Sequence, residues 1–173
     1  EHYISHVLDM RGVEFGTPVE LHGIQCAIGT LISLKLYEKI KAITPNREKA
    51  LHYAEQFDIA AWHRALKSYL GKGADSMIAL EAREKKYDPA LHARRLEVIL
   101  SNWEGILRII EEELPSSDAL EALLDALEAP KTLAEIGISD GELPMIFRCT
   151  KDIRDKYVLS RLAWDLGVID ELV

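Results

Sequence analysis

Apolar residues in this chain recur at helical spacing and nowhere at strand spacing. No stretch sustains period-2 alternation, and no Asn-Gly or Asp-Gly pair marks a tight hairpin. That pattern restricts the chain to an all-α, multi-helix bundle. Gly, Pro and short polar residues divide it into segments. His2 to Asp9 reads as the tail of a helix, ended by Gly12 and a loop with Gly16 and Pro18. A second helix runs from near Glu20 to about Ile43. Its apolar face carries Ile24, Ile28, Leu31, Ile32 and Leu36, and Thr44-Pro45 stops it. Arg47 to Phe57 and Ile59 to Leu70 follow, the latter closed by Gly71-Lys72-Gly73.

Asp75 is the expected N-cap of a helix to about Lys86. Asp88-Pro89 opens a long helix reaching about Leu114. Ser117 or Asp118 caps Ala119 to Leu127, and Thr132-Leu133-Ala134-Glu135 forms a capping box before a very short helix ending at Gly137. Ser139 to Cys149 and Asp152 to Leu166 complete the set, with Gly167 as the final C-cap. The sum is about eight to ten helices, without internal repeat. The mixed-sign run Glu81 to Lys86 reads as a solvated helix face, and so does Glu111 to Glu113.

With 173 residues, 48% of them hydrophobic, the chain suits one domain with a buried core. A net charge of −8 argues against a nucleic-acid partner, because phosphate binding needs a basic footprint. The two cysteines, Cys26 and Cys149, lie far apart and suggest no disulfide framework, so a reduced, cytoplasmic setting is expected. The most apolar run, Ile24 to Leu36, is broken by Gln25, Ser33 and Lys35 and is too short to span a membrane. The chain opens on Glu in the middle of an amphipathic pattern, which reads as part of a longer protein.

Chemistry concentrates at the start of the chain. His6 ends a short helical segment, and His22 opens a longer one in Leu21-His22-Gly23-Ile24-Gln25-Cys26-Ala27-Ile28-Gly29-Thr30. Two imidazoles so placed can converge on one divalent metal, although zinc needs three or four ligands. His2 and His6 are one helical turn apart and face the same way. Gly23 leaves room for close approach to the helix start, and Gly29 inside the helix points to tight packing. His52, His63 and His92 fall in charged helices without a partner ligand and read as surface or half-buried residues. Neither cysteine has a context that suggests nucleophilic chemistry, no Cys-x-x-Cys pair exists, and Gly71-Lys72-Gly73 is too short for a phosphate loop.

The segment Glu1-His2-Tyr3-Ile4-Ser5-His6, followed by His22-Gly23 and Gly29-Thr30, resembles the opening of the C-terminal domain of the metal-dependent polyol dehydrogenases. That superfamily includes glycerol dehydrogenase, iron-containing alcohol dehydrogenases, dehydroquinate synthase and sn-glycerol-1-phosphate dehydrogenase. Pro130-Lys131-Thr132-Leu133-Ala134-Glu135-Ile136-Gly137-Ile138 is similar to a further segment of that family. Lys151 to Leu159, with Trp164-Asp165-Leu166-Gly167, looks most like the bacterial, AraM-like glycerol-1-phosphate dehydrogenases. The resemblance covers both ends and is thin from about Glu48 to Ser117.

The resemblance implies an all-α domain of the dehydroquinate synthase-like C-terminal type, spanning 1–173 and binding metal and substrate. It implies that His6 and His22 are metal ligands and that an Asp from a nucleotide-binding half, outside this chain, supplies the third. His2 would then line the site near substrate or cofactor. Zn²⁺ or Ni²⁺ and NAD(P) are the implied cofactors, and a small phosphorylated polyol is the implied substrate, interconverted as dihydroxyacetone phosphate and sn-glycerol 1-phosphate. Arg154 and Lys156 are candidate phosphate anchors. Apolar helix faces lead us to expect a homo-oligomer. The fragment by itself is expected to be inactive and to hold metal weakly. The alternatives are a polyol dehydrogenase acting on an unphosphorylated substrate and a non-catalytic helical interaction domain.

Overall fold

Short polar side chains set several of the helix starts. In the computed structural model, which describes residues 1–173, eleven α-helices follow one another with no strand: α1 (His2–Phe15), α2 (His22–Lys41), α3 (Arg47–Glu55), α4 (Ile59–Leu70), α5 (Gly73–Glu84), α6 (Pro89–Ser101), α7 (Trp103–Glu113), α8 (Ser117–Ala126), α9 (Leu143–Thr150), α10 (Leu159–Asp165) and α11 (Ile169–Leu172). The side chains of Asn46, Asp58 and Asp88 accept the N–H groups of Lys49, Ala61 and Leu91, which caps α3, α4 and α6. Between α8 and α9 lie two 3₁₀ turns, Ala134–Ile136 and Asp140–Glu142. The expected capping box is present at the first: Glu135 accepts the Thr132 N–H at 2.8 Å, and the Glu135 N–H donates to Thr132 Oγ1 at 3.3 Å. No helix is long and apolar enough to cross a membrane.

Three boundaries shift modestly from the sequence expectation. α1 runs past Gly12 to Phe15, and Gly16, at φ 67°, makes the C-cap. Gly12 is a packing position, because a Cβ there would sit 2.0 Å from the Val19 side chain. Asp75 lies inside the first turn of α5 instead of capping it. Ser116, one residue before the expected cap, accepts from Ala119 and starts α8. Ser117 instead gives both its N–H and its hydroxyl to the carboxylate of Glu38 on α2.

The two larger departures share a cause: a polar side chain competes with the helical ladder. The long helix expected from Asp88 to Leu114 breaks at Asn102, whose side-chain amide donates to the Val98 carbonyl at 2.8 Å. The helix expected from Asp152 begins only at Leu159. Lys86 reaches across to take the carbonyls of Lys151 and Arg154, at 3.2 and 2.7 Å, and holds residues 151–158 as irregular chain.

Lys86 is thus largely covered, and Glu81 at the other end of the same charged run is buried against His63. Only 82–85 form the solvated face expected for the whole segment. One apolar cluster of 31 buried residues runs from Ile4 to Leu172, so α1 and α11 belong to a common core. Leu8, Ile28, Leu66, Leu96, Ile146 and Trp164 are its largest fully enclosed members. α1 packs along α2 and against α9, which brings the first and second helices side by side.

Candidate metal centre

His2 and His22 are the first residues of α1 and α2, and Cys26 lies one turn along α2 from His22. The i, i+4 spacing puts His22 and Cys26 on one face. Gly29 lets α1 close onto that face: a Cβ there would fall 2.8 Å from the Glu1 carbonyl oxygen and 3.4 Å from Ile4 Cβ. The Cys26 thiol sits 3.6 Å from His2 Nδ1 and 3.5 Å from His22 Nε2. Ligand atoms of His2, His22 and Cys26 all lie within 4.8 Å of one another. The two imidazoles are exposed and the thiol is half-buried.

Neighbouring groups orient this cluster. Asp9 brings a carboxylate oxygen to 3.9 Å from His22 Nδ1, the nitrogen on the far side of the ring from the thiol. Ser5, fully buried, donates its hydroxyl to the His2 carbonyl and lies 3.8 Å from the sulfur. A carboxylate behind a histidine is a recurrent device for fixing the ring of a metal ligand.

His6 occupies a different place from the one its sequence position implies. It stands in the middle of α1, with its ring edge-on to His2 at 4.5 Å between centroids, and is not among the three residues whose ligand atoms converge. The His2 and His22 rings are 4.9 Å apart, also edge-on. Burial first, and then the neighbouring His2 and Arg154, hold the His6 pKa below its ordinary value. His6 and Asp9 open onto a cavity of about 670 Å³ that also carries Lys72 and Arg154.

The two candidate phosphate anchors part company. Arg154 is on the His6 side, whereas Lys156 lines a separate pocket of about 170 Å³ with Lys86, Arg95 and Arg161. Of the other histidines, His92 is 1% exposed and bonded to the Asp165 carbonyl at 2.9 Å, against the expectation of a surface or half-buried residue. His63 has a carboxylate partner in Glu81 at 2.8 Å.

Sequence reasoning missed Cys26, Asp9 and Lys72. The His22-x-x-x-Cys26 spacing at a helix start was the available signal for the thiol. A further cleft of about 500 Å³ lies beside Phe57, Trp62 and Trp164, but its rim charges are already paired as Lys49 with Glu171 and Arg148 with Asp170.

Comparison with known proteins yields no match: no family model, curated protein or solved structure aligns with this chain. Fold and site together define a class, a helical bundle domain bearing a solvent-accessible His–His–Cys cluster.

Proposed function

We propose that this domain is the metal- and substrate-binding part of an NAD(P)-dependent oxidoreductase that interconverts dihydroxyacetone phosphate and sn-glycerol 1-phosphate. The observation that carries the reading is the convergence of His2 and His22 beside a cavity with two cationic side chains, Lys72 and Arg154. The donor set suits a borderline-soft divalent ion such as Zn²⁺ or Ni²⁺. A bound divalent ion would supply Lewis-acid polarisation of the substrate's carbonyl or hydroxyl oxygen.

The chain's own residues do the rest of what falls to this domain. Arg154 and Lys72 draw in and orient the phosphate, which fixes the carbon skeleton relative to His2 and His22. His6, next to His2, lines the cavity and can exchange a proton near the substrate oxygen. Reduction takes a hydride from NAD(P)H and one proton, giving the secondary alcohol and NAD(P)⁺, and oxidation reverses this. The nicotinamide, and a further carboxylate ligand, belong in this reading to a nucleotide-binding domain outside the chain. The exposed apolar residues Val13 and Phe15 at the end of α1, with Val19 and Leu21 in the α1–α2 connection, offer that domain a docking face.

The test is NAD(P)H consumption by the full-length protein with dihydroxyacetone phosphate, with unphosphorylated dihydroxyacetone in parallel. We expect turnover of the phosphorylated substrate, its loss in His2→Ala and His22→Ala, and in Arg154→Ala a KM increase specific to the phosphorylated compound. Equal use of both substrates would favour the polyol dehydrogenase alternative. Absence of any nicotinamide-linked turnover would favour the interaction-domain alternative.

A further inference from the structure

Thiol–imidazole contacts of 3.5 and 3.6 Å fit a hydrogen-bonded pair, the sulfur donating to one ring and accepting from the other, and they also fit ligation of a shared cation. A neutral thiol has a single S–H and can donate it to one nitrogen only. A cation placed among all three atoms would engage each of them.

The distances can be compared with a metal site directly. Zinc–sulfur bonds of about 2.3 Å and zinc–nitrogen bonds of about 2.0–2.1 Å, at a tetrahedral angle, imply a sulfur-to-nitrogen edge of about 3.5 Å. Both observed separations match that edge. All three ligand atoms already lie within 4.8 Å of one another, and rotation of the two exposed imidazoles would close their nitrogens to a tetrahedral edge of about 3.4 Å. Outer-shell groups are also in place, Asp9 behind His22 and the Ser5 hydroxyl near the sulfur.

We propose that Cys26 is itself a metal ligand, its thiolate joining His2 Nδ1 and His22 Nε2 in a three-ligand site for a soft or borderline divalent ion, which leaves the remaining coordination to the outside carboxylate and the substrate oxygen. The proposal rests on the metal-binding reading above and goes beyond it. The domain then carries a three-ligand set of its own and holds metal without help from another chain. The thiolate favours Zn²⁺ or Co²⁺ over Mg²⁺ or Mn²⁺. Binding releases the thiol proton to solvent, so the site gains two positive charges from the ion and one negative charge from sulfur.

Anaerobic titration of this chain with Co²⁺ in the presence of a non-thiol reductant tests it. The expected result is one equivalent bound, with an intense sulfur-to-cobalt charge-transfer absorption in the near ultraviolet, displaced by Zn²⁺ and not by Mg²⁺. Cys26→Ser should lose that absorption and bind Zn²⁺ more weakly by more than the roughly 10- to 100-fold that outer-shell losses cost. Cys149→Ala should retain it, because Cys149 is fully buried elsewhere in the core. Far-ultraviolet circular dichroism checks that each variant is folded, and the wild-type spectrum is decisive without any variant. Stoichiometric Co²⁺ binding that needs His22 but shows no charge-transfer band would overturn the ligand role of Cys26 and leave the histidine reading standing. No Co²⁺ binding by the wild-type chain would overturn the self-contained site; if the full-length protein also bound none, the metal-dependent reading would fall with it.

Discussion

Two clusters of ionisable side chains occupy this bundle, and they are built in opposite ways. Around Asp152 everything is covered and everything is answered. Its carboxylate accepts from Trp62 Nε1 at 2.8 Å, Arg161 at 2.9 Å, Lys151 at 3.0 Å and the Tyr87 hydroxyl. Lys151 also lies 3.5 Å above the Trp62 ring. Around Cys26 the side chains reach solvent, and three potential metal ligands face one another. Buried ionic groups with every valence satisfied join helices and specify how they pack. Convergent donors that remain open to solvent are available to a ligand.

Removing the centre of the satisfied cluster should have the largest effect. Asp152→Ala leaves Lys151 and Arg161 buried without their counter-charge, and unfolding free energy should fall by about 3–5 kcal/mol. Urea denaturation measures this, and Co²⁺ affinity of the remaining folded protein should be unchanged. If metal binding fell in proportion to stability, the two clusters would not be independent.

Acid reaches the same cluster without a mutation. Burial alone would raise the Asp152 pKa, but Lys151, Arg161 and the Tyr87 hydrogen bond outweigh it and leave the pKa lowered. A carboxylate more acidic when folded than when unfolded contributes stability that is complete above the unfolded value, about 3.9. That stability is lost as pH falls through the depressed folded value. Thermal melts from pH 6 downward should therefore show an Asp152-dependent loss beginning near pH 4 and steepening below it. In Asp152→Asn that part of the slope should vanish.

Gly29→Ala tests how the open cluster is assembled, with a smaller stability effect. The new methyl must displace the start of α1 or the Glu1 carbonyl, at a cost of about 1–3 kcal/mol. Because His2 moves with that segment, metal affinity should drop more than the stability loss alone implies. The smallest stability effect belongs to His22→Ala. The side chain is half exposed, so the metal-free protein should change by no more than about 0.5 kcal/mol while the site is lost. A large destabilisation there would make the histidine cluster a structural element and erase the contrast.

Much of the helix pattern was legible because its causes are local. The segment Ile59 to Leu70, stopped at Gly71, is α4 with both ends in place, and the Thr132–Glu135 capping box lies where its spacing indicated. His22 begins a helix as expected. The site was legible only in part. His6 and Cys26 have unremarkable neighbours in sequence, and their roles depend on how α1 lies across α2. Lys86 reads as one more charge on a solvated face until its reach to the 151–154 carbonyls is seen. His92 likewise reads as exposed until Trp164 packs over it, with ring centroids 5.3 Å apart.

The division has a physical origin. Helix periodicity and capping act between residues at most four apart, so the all-α class and most segment limits follow from the order of amino acids. Metal-ligand geometry and burial of charge act across space. His2 meets Cys26 across 24 positions, and Trp62 meets Asp152 across 90. Which imidazole turns toward the thiol, and which aspartate is enclosed, were decided by the packing of α1 on α2 and by the folding of 151–158 under α5 and α6.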